Sequence, residues 1–477
     1  MRFTALFALA AACSAQVIDI GSRRELFVDR YLIEDLKNTR LEMQKPIDRG
    51  VVVKYDKPWE GAFSNYTTII HDGPKYRLYY RGIPTTKKEL ESETVTAYAE
   101  SSDGIHWTKP DLGIISIKGS TRNNAILNDV AFSSDFSPFL DKRPGVPAAE
   151  KYKGLGGTMR TGLVAFASAD GLHWRKMREE PVFPITKQPS FDSQNLAFWS
   201  ESEGRYVAYY RTFKTFPGLG RVRWITRSTS DDFLNWTTPQ EMSFGDAPPE
   251  HLYVNQTGEY FRAPHIYISI AARFMPGRRA LTDEEIKQAD IMEGYYKDIS
   301  DVVLLTTRGG TKYDRTFQES FIRPGPGPKN WASRTNYPVL NVVQTSPTEM
   351  SVYINRDYAT PTNHINRYTL RLDGFASVYA PYAGGEMVTR PFTFSGKELE
   401  INYATSAAGG IRVEVQDASG KPIPGLALAD TQEIIGDHIA RTVTWKSGSG
   451  VAALAGKPVR LRFVMKDADL YSMRFKD

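Results

Sequence analysis

Ser102-Asp103-Gly104-Ile105-His106-Trp107 returns as Ala169-Asp170-Gly171-Leu172-His173-Trp174, and again, degraded, as Ser230-Asp231-Asp232-Phe233-Leu234-Asn235-Trp236. Fainter echoes stand at Arg308-Gly309-Gly310-Thr311-Lys312-Tyr313 and at Leu372-Asp373-Gly374-Phe375. Successive copies lie about sixty to eighty residues apart, so each belongs to one supersecondary unit of a repeat architecture. Asp-Gly supplies the positive φ angles of a tight hairpin, and the Trp packs an outer strand onto its neighbour. Asp103, Asp170 and Asp373 are therefore turn residues, and His106 and His173 belong to the same outer hairpins.

Each hairpin is preceded by an aromatic, strand-like run, such as Tyr76-Arg77-Leu78-Tyr79-Tyr80-Arg81 or Tyr206-Val207-Ala208-Tyr209-Tyr210-Arg211, and by a further apolar run ahead of it. Four short strands recurring five times predict an all-β chain built on a five-bladed β-propeller, residues 16–382, with Glu25-Leu26-Phe27-Val28 completing the last blade. Residues 383–477 alternate apolar and polar side chains between Gly/Pro/Asp turns and predict a C-terminal β-sandwich. One helix is signalled: Thr282 with Glu285 forms a capping box inside an insertion, Met275 to Ile299, expected to overhang the central pocket.

Residues 1–15 read as a signal peptide, with Arg2 before the apolar run Phe3 to Ala12 and cleavage after Ala15. The expected location is secreted or periplasmic, with lipid anchoring through Cys13 as the second reading. Cys13 is the only cysteine, so the mature chain can form no disulfide, thiolate metal site or cysteine nucleophile. A formal charge of +5 spread over 477 residues argues against nucleic acid as a partner, and the apolar run is too short for an integral membrane segment. No cofactor motif is present; a structural calcium ion is the one inorganic group left open.

In a propeller the innermost strands converge on one axis, so polar residues just before them are candidates for a central site. Glu60, Asp135, Asp192 and Glu250 supply a carboxylate from each of four blades. Glycoside hydrolysis needs two, one protonated and one ionised, and clustered carboxylates drive each other's pKa values apart. Trp59, Arg81, Asn195, His251, Arg262, His265, Arg334 and Tyr337 are the candidate substrate-binding residues, and none forms a diagnostic metal set.

The blades with their Asp-Gly-x-His-Trp hairpins, followed by a sandwich, resemble the five-bladed propeller glycoside hydrolases: invertases, inulinases and arabinanases. The segments Pro58-Trp59-Glu60-Gly61, Asp192-Ser193-Gln194-Asn195 and Arg262-Ala263-Pro264-His265 resemble more closely secreted bacterial proteins labelled invertase-like. The resemblance implies glycan chemistry on an oligo- or polysaccharide substrate. The invertase signature Trp-x-Asn-Asp-Pro-Asn is replaced here by Trp59-Glu60-Gly61, so fructoside specificity is not implied. Two other functions are compatible with the residues: a non-catalytic glycan-binding protein, and a polysaccharide lyase using His251, His265, Arg262, Asn195 and Tyr337.

Overall fold

The computed structural model describes residues 17–84, 91–185 and 190–477. Residues 1–15, read above as a signal peptide, lie with Cys13 outside the described residues. Two units are present: Met43–Phe375, and the residues up to Glu42 together with Ala376–Asp477. Among the described residues no helix is long and apolar enough to cross a membrane.

The first unit is a five-bladed propeller with one antiparallel sheet per blade. Blade one runs Asn65–Asp72, Lys75–Gly82, Val95–Ser101 and Ala125–Leu127. Blade two runs Ser137–Leu140, Tyr152–Thr158, Gly162–Ser168 and Arg175–Lys176. Blade three runs Leu196–Ser200, Arg205–Phe216, Gly220–Ser230 and Gln240–Glu241. In blade four the inner edge is broken into His251–Leu252 and Thr257–Tyr260, both paired with Ala263–Met275, which also pairs with Ile299–Thr307. Blade five repeats that break, with Tyr337–Pro338 and Val343–Gln344 on Glu349–Arg356, followed by His364–Arg371.

The outermost strand of blade five is Ile47–Lys54, which pairs with His364–Arg371 and closes the ring with N-terminal sequence. The Glu25–Val28 segment does not do this: Glu25 and Leu26 pair with Met473 and Ser472 in the second unit. The physical reason is burial. Leu26, Phe27 and Val28 are fully buried, whereas the closing strand is mostly solvated, as an outermost propeller strand must be.

The repeated hairpins hold each blade to its neighbour. Ser101, Ser168 and Ser230 accept backbone N–H groups from the turn, and Asp103, Asp170 and Asp232 accept two more. His106, His173 and Asn235 close the motif on the second carboxylate oxygen. The third copy therefore aligns Phe233 with Gly104 and Gly171, and all three adopt φ between 69° and 76°. A Cβ on Gly171 would stand 2.6 Å from the Tyr79 hydroxyl of blade one, so this turn requires glycine for close approach. Phe233 instead packs its ring on Phe139 of blade two, at 5.4 Å.

Tyrosines on the second strands complete the latches. Tyr152 donates to Asp72 of blade one, and Tyr206 donates to Asp141 of blade two at 2.6 Å. Tyr267 donates to Glu203 of blade three at 2.9 Å, and Tyr353 donates to the Gly104 carbonyl at 2.6 Å, joining blade five to blade one. Between blades four and five, Asp373 accepts from Tyr260 at 2.8 Å and pairs with Arg262 at 3.1 Å.

The second unit is one ten-stranded sheet. Its long strands Glu398–Asp417 and Val459–Lys476 pair from Glu398↔Lys476 to Asp417↔Val459, with a register shift between Thr405 and Gly410. Ile18–Asp19 and Ile33–Lys37 pair with Phe392–Thr393 and Gly385–Thr389. A single apolar core gathers Leu399, Ile401, Val413, Leu461, Phe463 and Trp445 among others. Glu414, at a strand position where alternation suggests exposure, is buried and accepts from Gln416 and from the Leu428 N–H.

Asp141 is buried with Lys153 at 2.6 Å, so the Tyr206 hydroxyl is its second essential partner. Hydrogen bonds to charged groups contribute about 1.5–3 kcal/mol. Tyr206→Phe is expected to lower the unfolding free energy by about that amount, read as a lower urea midpoint at unchanged slope; an unchanged midpoint would show the latch to be dispensable.

Candidate functional site

A pocket of about 700 Å³ draws its lining from all five blades. Blade one contributes Tyr66, Arg81 and Thr94, and the link to blade two contributes Asp129, Ser134 and Asp135. The hairpin Thr158–Thr161 comes from blade two, Asp192 from blade three, Tyr253 and Tyr295 from blade four, and Arg334 and Tyr358 from blade five.

Local irregularity of the inner strands creates this lining. A register shift between Asn65 and Thr68 and a φ of 49° at Tyr66 mark a bulge in the blade-one strand at the residue that reaches the pocket. Tyr253 lies in the break of the blade-four edge, and Arg334, also at positive φ (60°), lies just before the blade-five strand. A step further along these strands the axis is stitched by buried amides: Gln194 donates to Thr68, and Gln256 donates to Gln194 and to the Pro338 carbonyl, each at 2.8 Å.

Two carboxylates share the pocket in different environments. Asp135 is buried and accepts from the Ser134 hydroxyl at 3.0 Å. Burial pushes its carboxyl up to about 7; Arg81 and Arg211 pull against that shift, and the charge of Asp192 adds to it. Asp192 is about half exposed and ion-paired to the fully buried Arg211 at 2.5 Å. Arg81 and Arg211 hold equivalent positions on two second strands, directly after Tyr79-Tyr80 and Tyr209-Tyr210. Arg81 is fixed by donating to the Phe63 carbonyl (2.8 Å) and the Tyr358 hydroxyl (3.0 Å), and it covers the Tyr66 ring at 4.6 Å. Burial also holds the Tyr66 phenol well above its ordinary pKa, so it stays protonated.

The structure thus brings Asp135, Asp192, Arg81 and Arg334 together and places the other candidates elsewhere. Glu60 is buried outside the lining, accepting from Tyr80 and Lys109, both at 2.5 Å. Trp59 donates to Asn124 at 2.8 Å within the blade-one core. Glu250 is held by Arg273 (2.9 Å) and Arg315 (2.6 Å). His251 accepts from the Arg223 N–H, and burial followed by the Arg223 charge lowers its pKa. Arg262 belongs to the latch on Asp373, and His265 does not line the pocket. Tyr337 is buried behind Tyr253, at 5.1 Å. Asn195 positions rather than lines: its amide donates to the Phe191 and Ser193 carbonyls and its oxygen accepts the Arg211 N–H, which fixes the loop carrying Asp192.

The blade-four insertion reaches the pocket through one residue. Its helix is Asp283–Gln288, capped as expected by Thr282 and Glu285. Tyr295 packs on Phe63 (5.2 Å) and Tyr358 (5.8 Å), while Arg278, Arg279 and Tyr296 are not in the lining. Tyr66, Tyr253, Tyr358, Arg160 and Arg211 were not singled out by sequence. The shared Tyr-Tyr-Arg run of the second strands was the available signal for Arg211. Among the described residues, no three His, Cys, Asp or Glu side chains gather as a metal site.

No family model matches this chain. The Uncharacterized protein Rv1502 of Mycobacterium tuberculosis is 26% identical over 141 residues, which are 28% of this chain and 40% of that protein. Among solved structures, a glycoside hydrolase superposes at TM-score 0.47 and 12% identity, over 69% of this chain and 92% of that one. A fructofuranosidase from Schwanniomyces occidentalis gives 0.38 and 11%, over 90% and 98%. An alpha-L-arabinofuranosidase from Clostridium thermocellum gives 0.41 and 11%, over 63% and 88%.

A carboxyl whose pKa is raised on folding contributes stability that is complete below its unfolded value, near 3.8, and is lost as pH climbs through about 7. Asp135→Asn removes that loss. The variant is expected to gain thermal stability relative to the parent at pH 8 over what it shows at pH 4, in melts across that range; a constant offset would mean that Asp135 is not a neutral acid in the folded protein.

Proposed function

We propose that this protein is a glycoside hydrolase acting at the propeller pocket, with Asp135 as general acid and Asp192 as the ionised partner. The observation that carries this reading is the pair itself: one buried carboxyl pushed up to about 7 beside one solvent-reaching carboxylate paired to Arg211. Glycosidic cleavage needs that asymmetry. The protonated group gives its proton to the leaving oxygen, and the charged group activates water or attacks the anomeric carbon. Arg211 pairs directly with Asp192, and Asn195 holds the loop in register. Arg81 and Arg334, with Tyr253, Tyr295 and Tyr358, form the walls on which a sugar would be oriented.

The test is a screen of the purified chain on a polysaccharide panel, followed by single amide variants on whichever glycan releases reducing ends. Asp135→Asn and Asp192→Asn are each expected to lower kcat by at least ~100-fold, the range of a lost acid or base. The rate of the parent is expected to fall above pH 7 as Asp135 loses its proton. Full activity in both variants would refute the assignment; glycan retention without cleavage would indicate a binding protein, and an unsaturated product a lyase.

A further inference from the structure

Val130 and Met159 are large apolar side chains left 39% and 40% exposed, and both line the pocket. Neither position calls for such a residue. Val130 opens the short helix Val130–Ser133 directly after its N-cap, Asp129, where acidic residues or proline are favoured. Met159 stands in the turn Thr158–Thr161, closed by the Thr161 N–H on the Thr158 carbonyl at 3.2 Å, where Gly, Pro, Asn, Asp and Ser dominate. Phe132 of the same helix joins the apolar cluster of Phe136, Val164 and Phe166, but Val130 and Met159 do not. Together with Ala131 they give this side of the pocket an apolar lip. The rings of the lining come from elsewhere: Tyr66 from blade one, Tyr253 and Tyr295 from blade four, and Tyr358 from blade five.

This division fits a ligand with two chemical halves. Tyrosines present flat faces and a polar tip, suited to the C–H faces and hydroxyls of a sugar. Valine, alanine and methionine offer a hydroxyl no strong hydrogen bond, and exposed apolar surface beside a binding site gains by covering apolar surface in turn. The methionine thioether also favours contact with an aromatic ring. The helix that carries Val130 and Ala131 runs through Ser134 into Asp135, so the lip and the acid share one side of the pocket. In glycosidic cleavage the acid faces the leaving oxygen, which places the departing group on that side. We propose that the departing group is apolar, an aryl or alkyl aglycone seated on Val130, Ala131 and Met159. This rests on the hydrolase reading for which half departs, whereas the contact with the lip is one of binding. The C–O bond to the aglycone breaks as Asp135 gives its proton to the leaving oxygen; water supplies a hydroxyl to the anomeric carbon and the proton that restores Asp135.

The experiment measures binding alone, on the full chain, with sulfur-linked glycosides that resist acid-catalysed cleavage. Ligand-observed NMR titrations compare the phenyl and methyl thioglycosides of D-glucose, D-galactose and D-xylose, with thiocellobiose as the ligand whose departing half is a second sugar. In at least one pair the phenyl member is expected to bind about tenfold or more tightly than the methyl member. Val130→Ser and Met159→Ser are each expected to reduce that preference by about threefold or more. Met159, exposed in a turn, keeps the test valid if Val130→Ser fails to fold. Equal affinity for phenyl and methyl members, no binding of any phenyl thioglycoside, thiocellobiose bound more tightly than the phenyl thioglucoside, or a preference unchanged in both variants overturns the proposal. A phenyl preference that depends on the lip, in a protein that cleaves neither oxygen-linked phenyl glycosides nor glycans, would refute the hydrolase reading and leave the apolar site standing. Glycan cleavage without any phenyl preference would do the reverse.

Discussion

The structure depends on the contact between a hairpin or tyrosine of one blade and a turn of its neighbour. A propeller blade is a small twisted sheet that cannot bury both faces alone, so the ring stands only if every junction is made. Here each junction combines an aromatic contact with a directional hydrogen bond into a turn. Tyr152 to Asp72, Tyr206 to Asp141, Tyr267 to Glu203, Tyr260 to Asp373 and Tyr353 to Gly104 complete the circle. The apolar part supplies bulk stabilisation, and the hydrogen bond sets the angle at which blades meet. That angle decides whether residues from five separate sheets can face a single cavity.

The pocket follows from small departures from regularity inside this rigid ring. Regular inner strands would pair throughout and offer the axis only their alternating side chains. The bulge at Tyr66 and the gaps after Leu252 and Pro338 free short stretches of backbone near the axis, and the amides of Gln194 and Gln256 take up the hydrogen bonding between blades. Asp135 and Asp192 sit in short segments that lead into regular strands, the latter held by Asn195, while their side chains reach the cavity. The two carboxylates differ because one stands in a buried niche and the other on the open side of an arginine.

Much of this was legible in the sequence because tight hairpins have strict chemistry. Ser-x-Asp-Gly-x-His-Trp names its own conformation, and counting its copies yields the blades. The closing strand was not legible: Ile47-Asp48-Arg49-Gly50-Val51-Val52-Val53-Lys54 is an outermost strand, solvated on much of its surface, while the apolar Leu26-Phe27-Val28 run looks more like a strand that seals a ring. At the site, position before an inner strand was enough to find Asp135, Asp192 and Arg334. It misled for Glu60, because Pro58-Trp59-Glu60-Gly61 folds back on itself, with the Glu60 N–H donating to the Lys57 carbonyl and Lys109 arriving from a later hairpin. Arg160 could not be read at all, since it comes from the far end of a blade-two hairpin whose reach toward the axis depends on strand length and twist.

The strand Ile47–Lys54 has a consequence for how the chain comes to be folded. Its partners are His364–Arg371, more than three hundred residues later, and the segments before it pair with Phe392 and with Met473. The earliest described residues thus have no native sheet to join until nearly all of the polypeptide is present. Such distant pairing is intrinsically slow, because loop closure must precede any reward from contact. During synthesis the first blades can form their own hairpins, but they carry unpaired edges until the final strands emerge. Ring closure is then a late event that waits on His364–Arg371, and a translation product that stops before that strand would carry an unpaired edge, an aggregation hazard rather than a smaller working protein.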